Sequence, residues 1–283
     1  MRLNSVQPQY NNANAQLSRN TAPNFNAYYY QQQPEESSVT KEVGTVAILQ
    51  GLILGLKKCS EWCGQKLMQG KEFTSFENIK KVSDKMVKDN KLNVEIGYID
   101  QNNIGKYAGK YGKGIANELQ VVAEGKNAFY ADKLKLAVAP KSKPSLMLHE
   151  LGHAINAKNG FTKLLQNSRR LAPFIPTALL MMTPHRSANE KPSFIEKNAG
   201  ILAFAASVPT IVEEGMASFK GVKAAKEVLG KSVNLNALKR NYLFALGTYA
   251  IAGIATGIAT KQAFAQRPLD QRIMQYGQNN FRM

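Results

Sequence analysis

Pro144-Ser145-Leu146-Met147-Leu148-His149-Glu150-Leu151-Gly152-His153-Ala154-Ile155, with Gly160 a little beyond it, decides how this chain is read. Pro144 suits a first helical turn, Leu148, Leu151 and Ile155 recur on one face, and Gly160 is placed to end the segment, so the pattern predicts a helix. On a helix, His149 and His153 stand one turn apart on the same face, the geometry two zinc ligands require. Glu150 then sits beside the metal without occupying it. A carboxylate there can take a proton from a water that the metal acidifies, while the metal polarises a scissile carbonyl. The chain has three histidines and two of them fall in this pattern, which makes a chance match the weaker reading. Glu150 is therefore the expected catalytic base, with His149 and His153 holding one Zn2+ ion.

Zinc at a catalytic site takes a third protein ligand and leaves its fourth position to water or substrate. After His153 the candidates are His185, Glu190, Glu196, Glu213, Glu214, Glu227 and Asp270. The metzincin pattern would place a glycine and a histidine where Asn156 and Asn159 stand, so that class is excluded. His185 follows Pro184 in an expected loop and reads as an exposed histidine. Glu213-Glu214-Gly215-Met216-Ala217-Ser218 stands out, because small residues after the acids let their helix pack against the metal-bearing one. Neighbours on a helix point about 100° apart, so only one of the two acids can face the metal.

Here the sequence resembles the gluzincins, whose second motif is a glutamate followed by small residues; Glu214-Gly215-Met216-Ala217 is similar to the glutamate-glycine-aromatic-alanine of their aminopeptidase branch. A closer resemblance is to the membrane-integrated gluzincins, the heat-shock membrane protease and CAAX prenyl endopeptidase group. Asn127-Ala128-Phe129 and the strand expected over Leu134 to Ala139 are similar to the motif and edge strand that precede the zinc helix there. The resemblance spans roughly residues 125 to 220, in pattern more than in letters. It implies Glu214 as the third ligand, a zincin-like catalytic domain and a protein or peptide substrate. Ser218 stands where that group usually has an aspartate, the residue that orients a zinc-bound imidazole. A serine could make one weaker hydrogen bond in its place.

Around this centre the expected fold class is α+β, mainly α, with a small β-sheet before the His149–His153 helix and several hydrophobic, membrane-associated helices. Phe76, Ile79, Val82 and Met86 predict a surface helix between about Phe73 and Asn90. Leu92-Val94-Ile96, Leu119-Val121-Ala123 and Leu134-Leu136-Val138 alternate, as strands of a small sheet do. Residues 1 to 40, rich in Asn and Gln, read as a disordered tail ahead of a single catalytic domain over 41–283. The run Val43 to Leu56 is short for a bilayer span and reads as a buried or interfacial helix. Hydrophobic helices are expected near 171–184, 198–212 and 241–260. Only the last has the ~20 residues of a comfortable span. It also holds Gly253-Ile254-Ala255-Thr256-Gly257, a spacing that lets helices approach closely in lipid. Pro173, Pro176 and Pro209 predict kinks and a shallow hairpin for the other two.

With 37 Lys and Arg against 20 acidic residues, a net charge of +17 favours an anionic neighbour. No nucleic-acid motif accompanies it, so membrane lipid rather than nucleic acid is the expected partner. The polar start is unlike a cleavable signal peptide. Cys59 and Cys63, four apart on an expected helix, read as two thiols rather than a disulfide. Basic residues ahead of His149 place the catalytic face on the cytoplasmic side of a membrane. The alternatives are a soluble or delivered zinc protease, and a membrane scaffold with a non-catalytic zincin fold.

Overall fold

The computed structural model describes residues 36–184 and 190–280. Most of the expected tail, and His185, lie outside them. The described chain is mainly helical. In order it forms α1 (Glu36–Gln69), α2 (Phe76–Asp89), β1 (Glu95–Ile99), α3 (Ile104–Tyr111), α4 (Ala116–Ala123), β2 (Phe129–Ala131) and β3 (Leu136–Pro140). After these come α5 (Leu146–Lys158), α6 (Gly160–Ser168), α7 (Ile175–Met182), α8 (Phe194–Leu229) and α9 (Asn236–Asn280). These residues group into two compact units. One holds Cys59–Arg170 and Ser207–Ile251; the other holds 36–58, Leu171–Ala206 without 185–189, and 252–280.

The first unit is built on a three-stranded sheet of order β1-β3-β2. β3 pairs in parallel with β1, Gly97 opposite Val138, and antiparallel with β2, Phe129 opposite Val138. Every residue of β3 is buried. Alternation along the strand sends its side chains to two cores. Leu136 and Val138 pack with Ile99, Leu119 and Val122. Ala137 and Ala139 pack with Ile79, Val82 and Met86 of α2, Met147, Leu148 and Leu151 of α5, and Leu238 and Tyr242 of α9. Each large apolar side chain withdrawn from water in this way contributes about 1.5–3 kcal/mol.

Three expectations are corrected here. Leu119-Val121-Ala123 is not a strand but lies within α4, where Leu119 and Val122, three apart, are the buried pair. A helical face, not an alternating one, covers β3. The strand expected at an edge, β3, is the centre of the sheet, and β2 is the edge. Gly160 does not end α5. Asn159 does, and it also caps α6 by accepting a hydrogen bond from the Phe161 N–H at 3.1 Å. The helix between Phe73 and Asn90 is present as α2, with the Ser75 hydroxyl accepting from the Asn78 N–H.

The hydrophobic runs also differ from expectation. α7 has only 8 residues, whereas α8 runs for 36 residues straight through Pro209. Proline removes one helix hydrogen bond but leaves the turns on either side to continue, so 198–212 is the interior of one long helix rather than a short segment of its own. Three helices are long and apolar enough to cross a membrane: Val43–Leu67, Phe194–Leu229 and Asn236–Arg267. The first corrects the reading of Val43 to Leu56 as too short to span. Its helix extends past Lys57 and Lys58, and no residue from Val43 to Ser60 is buried. In the second unit, a Cβ on Gly257 would stand 2.7 Å from the Gly200 carbonyl oxygen. The small-residue spacing thus marks a place where two helix backbones meet. Arg267 there donates to the carbonyls of Leu180 (2.6 Å) and Thr183 (3.1 Å), closing the end of α7.

Candidate metal centre

Within the first unit, α5 carries His149, Glu150 and His153, and α8 carries Glu213, Glu214 and Ser218. The two helices meet backbone to backbone. A Cβ on Gly152 would come within 2.7 Å of the Ala217 Cα and closer still to its carbonyl oxygen, and one on Gly221 would stand 2.9 Å from the Leu148 carbonyl oxygen. Ser207, Thr210, Glu214, Ala217, Gly221 and Ala225 form a buried stripe of α8, spaced three and four apart. The glycine inside His149–His153 and the small residues after Glu214 therefore serve one contact, and that contact brings the acids to the imidazoles.

His149, His153 and Glu214 form the one group of His, Cys, Asp or Glu among the described residues whose potential ligand atoms converge, all lying within 4.8 Å of one another. The His153 Nε2 lies 3.0 Å from the His149 Nε2. The Glu214 Oε2 lies 3.1 Å from the first imidazole and 3.5 Å from the second. Ligands bound at 2.0–2.1 Å in a tetrahedron stand about 3.3 Å apart. The triangle fits a zinc-sized ion, and its chemistry, two imidazoles and a carboxylate, fits a catalytic set that keeps one position open.

The other ring nitrogens are held as such a site needs. His153 Nδ1 stands 2.8 Å from Glu213 Oε1, and because a carboxylate only accepts, the proton of the neutral imidazole belongs on Nδ1, which leaves the Nε2 lone pair to a metal that displaces any second proton. His149 Nδ1 is 3.0 Å from the Ser218 hydroxyl. Ser218 thus occupies the orienting position, and Glu213 supplies a stronger orienter for the other imidazole. Glu213 is itself fixed, since Oε1 also accepts from Asn156 Nδ2 (2.8 Å) and Gln166 Nε2 (2.9 Å). Lys220 in turn donates to the Asn156 Oδ1. Burial opposes a proton on His153, but the Glu214 and Glu213 carboxylates outweigh it and hold its pKa well above the usual histidine value.

Glu150 is buried, and its carboxylate has no hydrogen-bond partner among the described residues. Burial raises its pKa, against the pull of the two imidazoles. An unpaired carboxylate with raised basicity is suited to exchanging protons. Among the described residues the other ligand candidates do not join this group. Glu196 accepts from the Ser193 N–H at the start of α8 while its own N–H donates to the Ser193 hydroxyl, a capping box. Glu227 faces Lys223 at 3.9 Å, and Asp270 is exposed.

Sequence reasoning missed Arg169, whose Nη1 donates to Glu214 Oε1 at 2.8 Å. Its guanidinium lies over the Tyr249 ring, 5.5 Å from the centroid. Nothing in the spacing of Arg169-Arg170 could have singled it out, because its partner is 45 residues away. Asn156 and Gln166 were missed for the same reason. Comparison with protein-family models, curated proteins and solved structures gives no match to this chain.

Proposed function

We propose that this chain is a membrane-associated zinc metalloendopeptidase of the gluzincin type. The observation that carries the reading is the convergence of His149 Nε2, His153 Nε2 and Glu214 Oε2 beside an unpaired, buried Glu150. A structural zinc site has no use for a free carboxylate next to its ligands, whereas hydrolysis requires one. When bound, zinc supplies Lewis-acid polarisation of the scissile carbonyl and acidifies a water. Glu150 accepts the proton of the attacking water and returns it to the leaving amine nitrogen. Ser218 and Glu213 hold the imidazoles in the tautomer and orientation that ligation demands. The substrate is a protein or peptide.

Glu214 is carried on Phe194–Leu229, one of the three helices able to cross a membrane, which supports hydrolysis at a membrane. The basic surface favours the cytoplasmic leaflet and places the catalytic face on that side. The test is metal analysis of detergent-purified full-length protein, followed by digestion of casein and a peptide library with and without chelator. One zinc per chain and chelator-sensitive cleavage that disappears in Glu150→Gln are expected. A wild-type protein that holds zinc tightly yet cleaves nothing would turn the reading toward a non-catalytic scaffold.

A further inference from the structure

Glu214 has two carboxylate oxygens and only one of them faces the imidazoles. Oε2 lies 3.1 Å from His149 Nε2, while Oε1 accepts from Arg169 Nη1 at 2.8 Å. A carboxylate free at both oxygens can chelate a metal, which raises the coordination number and fills the position a water needs. We propose that Arg169 is a positioning residue of the metal centre, which occupies Oε1 of Glu214 and so restricts this ligand to one oxygen. The inference rests on the metal-centre reading above.

Three features of the surroundings support it. The Glu214 side chain is 1% exposed, so Oε1 is screened from bulk solvent, and Arg169, 34% exposed, reaches it from the end of α6. The guanidinium is anchored independently of Glu214: it stacks on Tyr249, and Nη2 lies 3.5 Å from the Tyr249 hydroxyl. A planar fork can donate to Oε1 while its face lies over a ring. Charge also balances. Arg169 acts on the carboxylates of Glu214, Glu213 and Glu150, so the arginine offsets negative charge that a bound dication alone would leave in excess in a buried site.

The test uses full-length protein loaded with Co2+, whose visible absorption is intense in four-coordinate sites and weak in five-coordinate ones. Wild type should give the intense spectrum. Arg169→Gln should lower the absorption several-fold and weaken zinc binding by roughly 10- to 100-fold, the usual effect of losing a partner of a metal ligand. Arg169→Lys, which can still donate to Oε1, should restore most of the intensity. Tyr249→Phe, which keeps the stacking, should remain close to wild type. An unchanged spectrum in Arg169→Gln with reduced peptide cleavage would overturn the proposal and assign the guanidinium to substrate instead. A weak, five-coordinate spectrum in wild type would overturn it without any variant, should Arg169→Gln fail to fold. Failure of wild type to take up Co2+ or Zn2+ at all would remove the metal-centre reading together with this one.

Discussion

Adjacent acids on one helix do different work when a second helix crosses them, and Glu213 and Glu214 illustrate it. Set about 100° apart, they reach opposite sides of His153: Glu214 lies near its Nε2 and Glu213 near its Nδ1. Glu214→Ala should therefore abolish stoichiometric zinc, whereas Glu213→Ala should cost roughly 10- to 100-fold in affinity by freeing the imidazole. Metal titration of both variants checks this, and equal zinc content in wild type and Glu214→Ala would remove the assignment. Glu150→Gln should retain zinc and lose hydrolysis, since it removes a proton acceptor and no ligand; residual turnover near wild type would place the base elsewhere. The raised pKa of His153 adds a pH dependence. Metal must displace a proton held above the ordinary value of about 6.5, so apparent affinity should keep rising with pH beyond that point. Calorimetry in buffers of different ionisation enthalpy should detect about one proton released per metal bound. The sign reverses for the metal-free fold: protonated His153 stabilises it fully below the unfolded pKa, and that contribution is lost as pH rises through the folded one. Of this centre the sequence made the two histidines and Glu150 legible, because they lie within one turn of one helix. Arg169, Asn156 and Gln166 were hidden, because their roles exist only after α5, α6 and α8 have packed.

At the scale of elements, the decisive contact is that of α5 with α8. Gly152 faces Ala217 and Gly221 faces Leu148 at distances that admit no added Cβ. Gly152→Ala should therefore force the helices apart, destabilise by about 1–3 kcal/mol as overpacking does, and lower zinc occupancy although no ligand has changed. Gly215, whose Cβ would meet only Leu246 at 3.8 Å or more, should tolerate alanine. Thermal unfolding and metal content of the two variants provide the comparison, and equal behaviour would mean that the close approach is not what positions Glu214. The same level explains which elements were readable. α2 announced itself by Ile79, Val82 and Met86 at helical spacing. α4 did not, since Leu119, Val121 and Ala123 alternate like a strand while Leu119 and Val122 repeat like a helix. Only the presence of Leu136 and Val138 beneath them decides between the two periods. Likewise Gly160 carries the signature of a helix stop, yet Asn159, able to serve as both cap of α5 and cap of α6, intervenes one residue earlier.

For the whole molecule, the membrane association proposed above can rest on either of two forces. A net charge of +17 would attract anionic lipid, at about 1 kcal/mol for each basic residue near the surface, and salt would cancel this as the screening length shrinks to about 3 Å at 1 M. Insertion of apolar helices is indifferent to salt. α1 exposes Ile48, Leu52, Leu54 and Trp62, each between 49% and 66% accessible, and Leu243 and Ile201 are similarly open on α9 and α8. Apolar exposure of this extent on long helices marks a surface to be covered by lipid or by another protein. Deleting residues 241–260 would confuse the matter, because Tyr242 belongs to the core and Tyr249 supports Arg169. The sounder test keeps the chain whole. Full-length protein should remain in the membrane pellet through a high-salt wash and through alkaline carbonate. Lysine at both Ile48 and Leu52 opposes insertion by roughly 5–7 kcal/mol if α1 crosses the bilayer centre, each charge costing about 2.5–3.5 kcal/mol there, and far less if α1 lies in the interface where lysines reach water. Loss of carbonate resistance in this double variant would identify α1 as a spanning anchor, and unchanged resistance would leave α8 and α9 to hold the chain. Release of the wild type by salt alone would show the attachment to be electrostatic, and the long apolar helices would then have to be covered by another protein rather than by lipid.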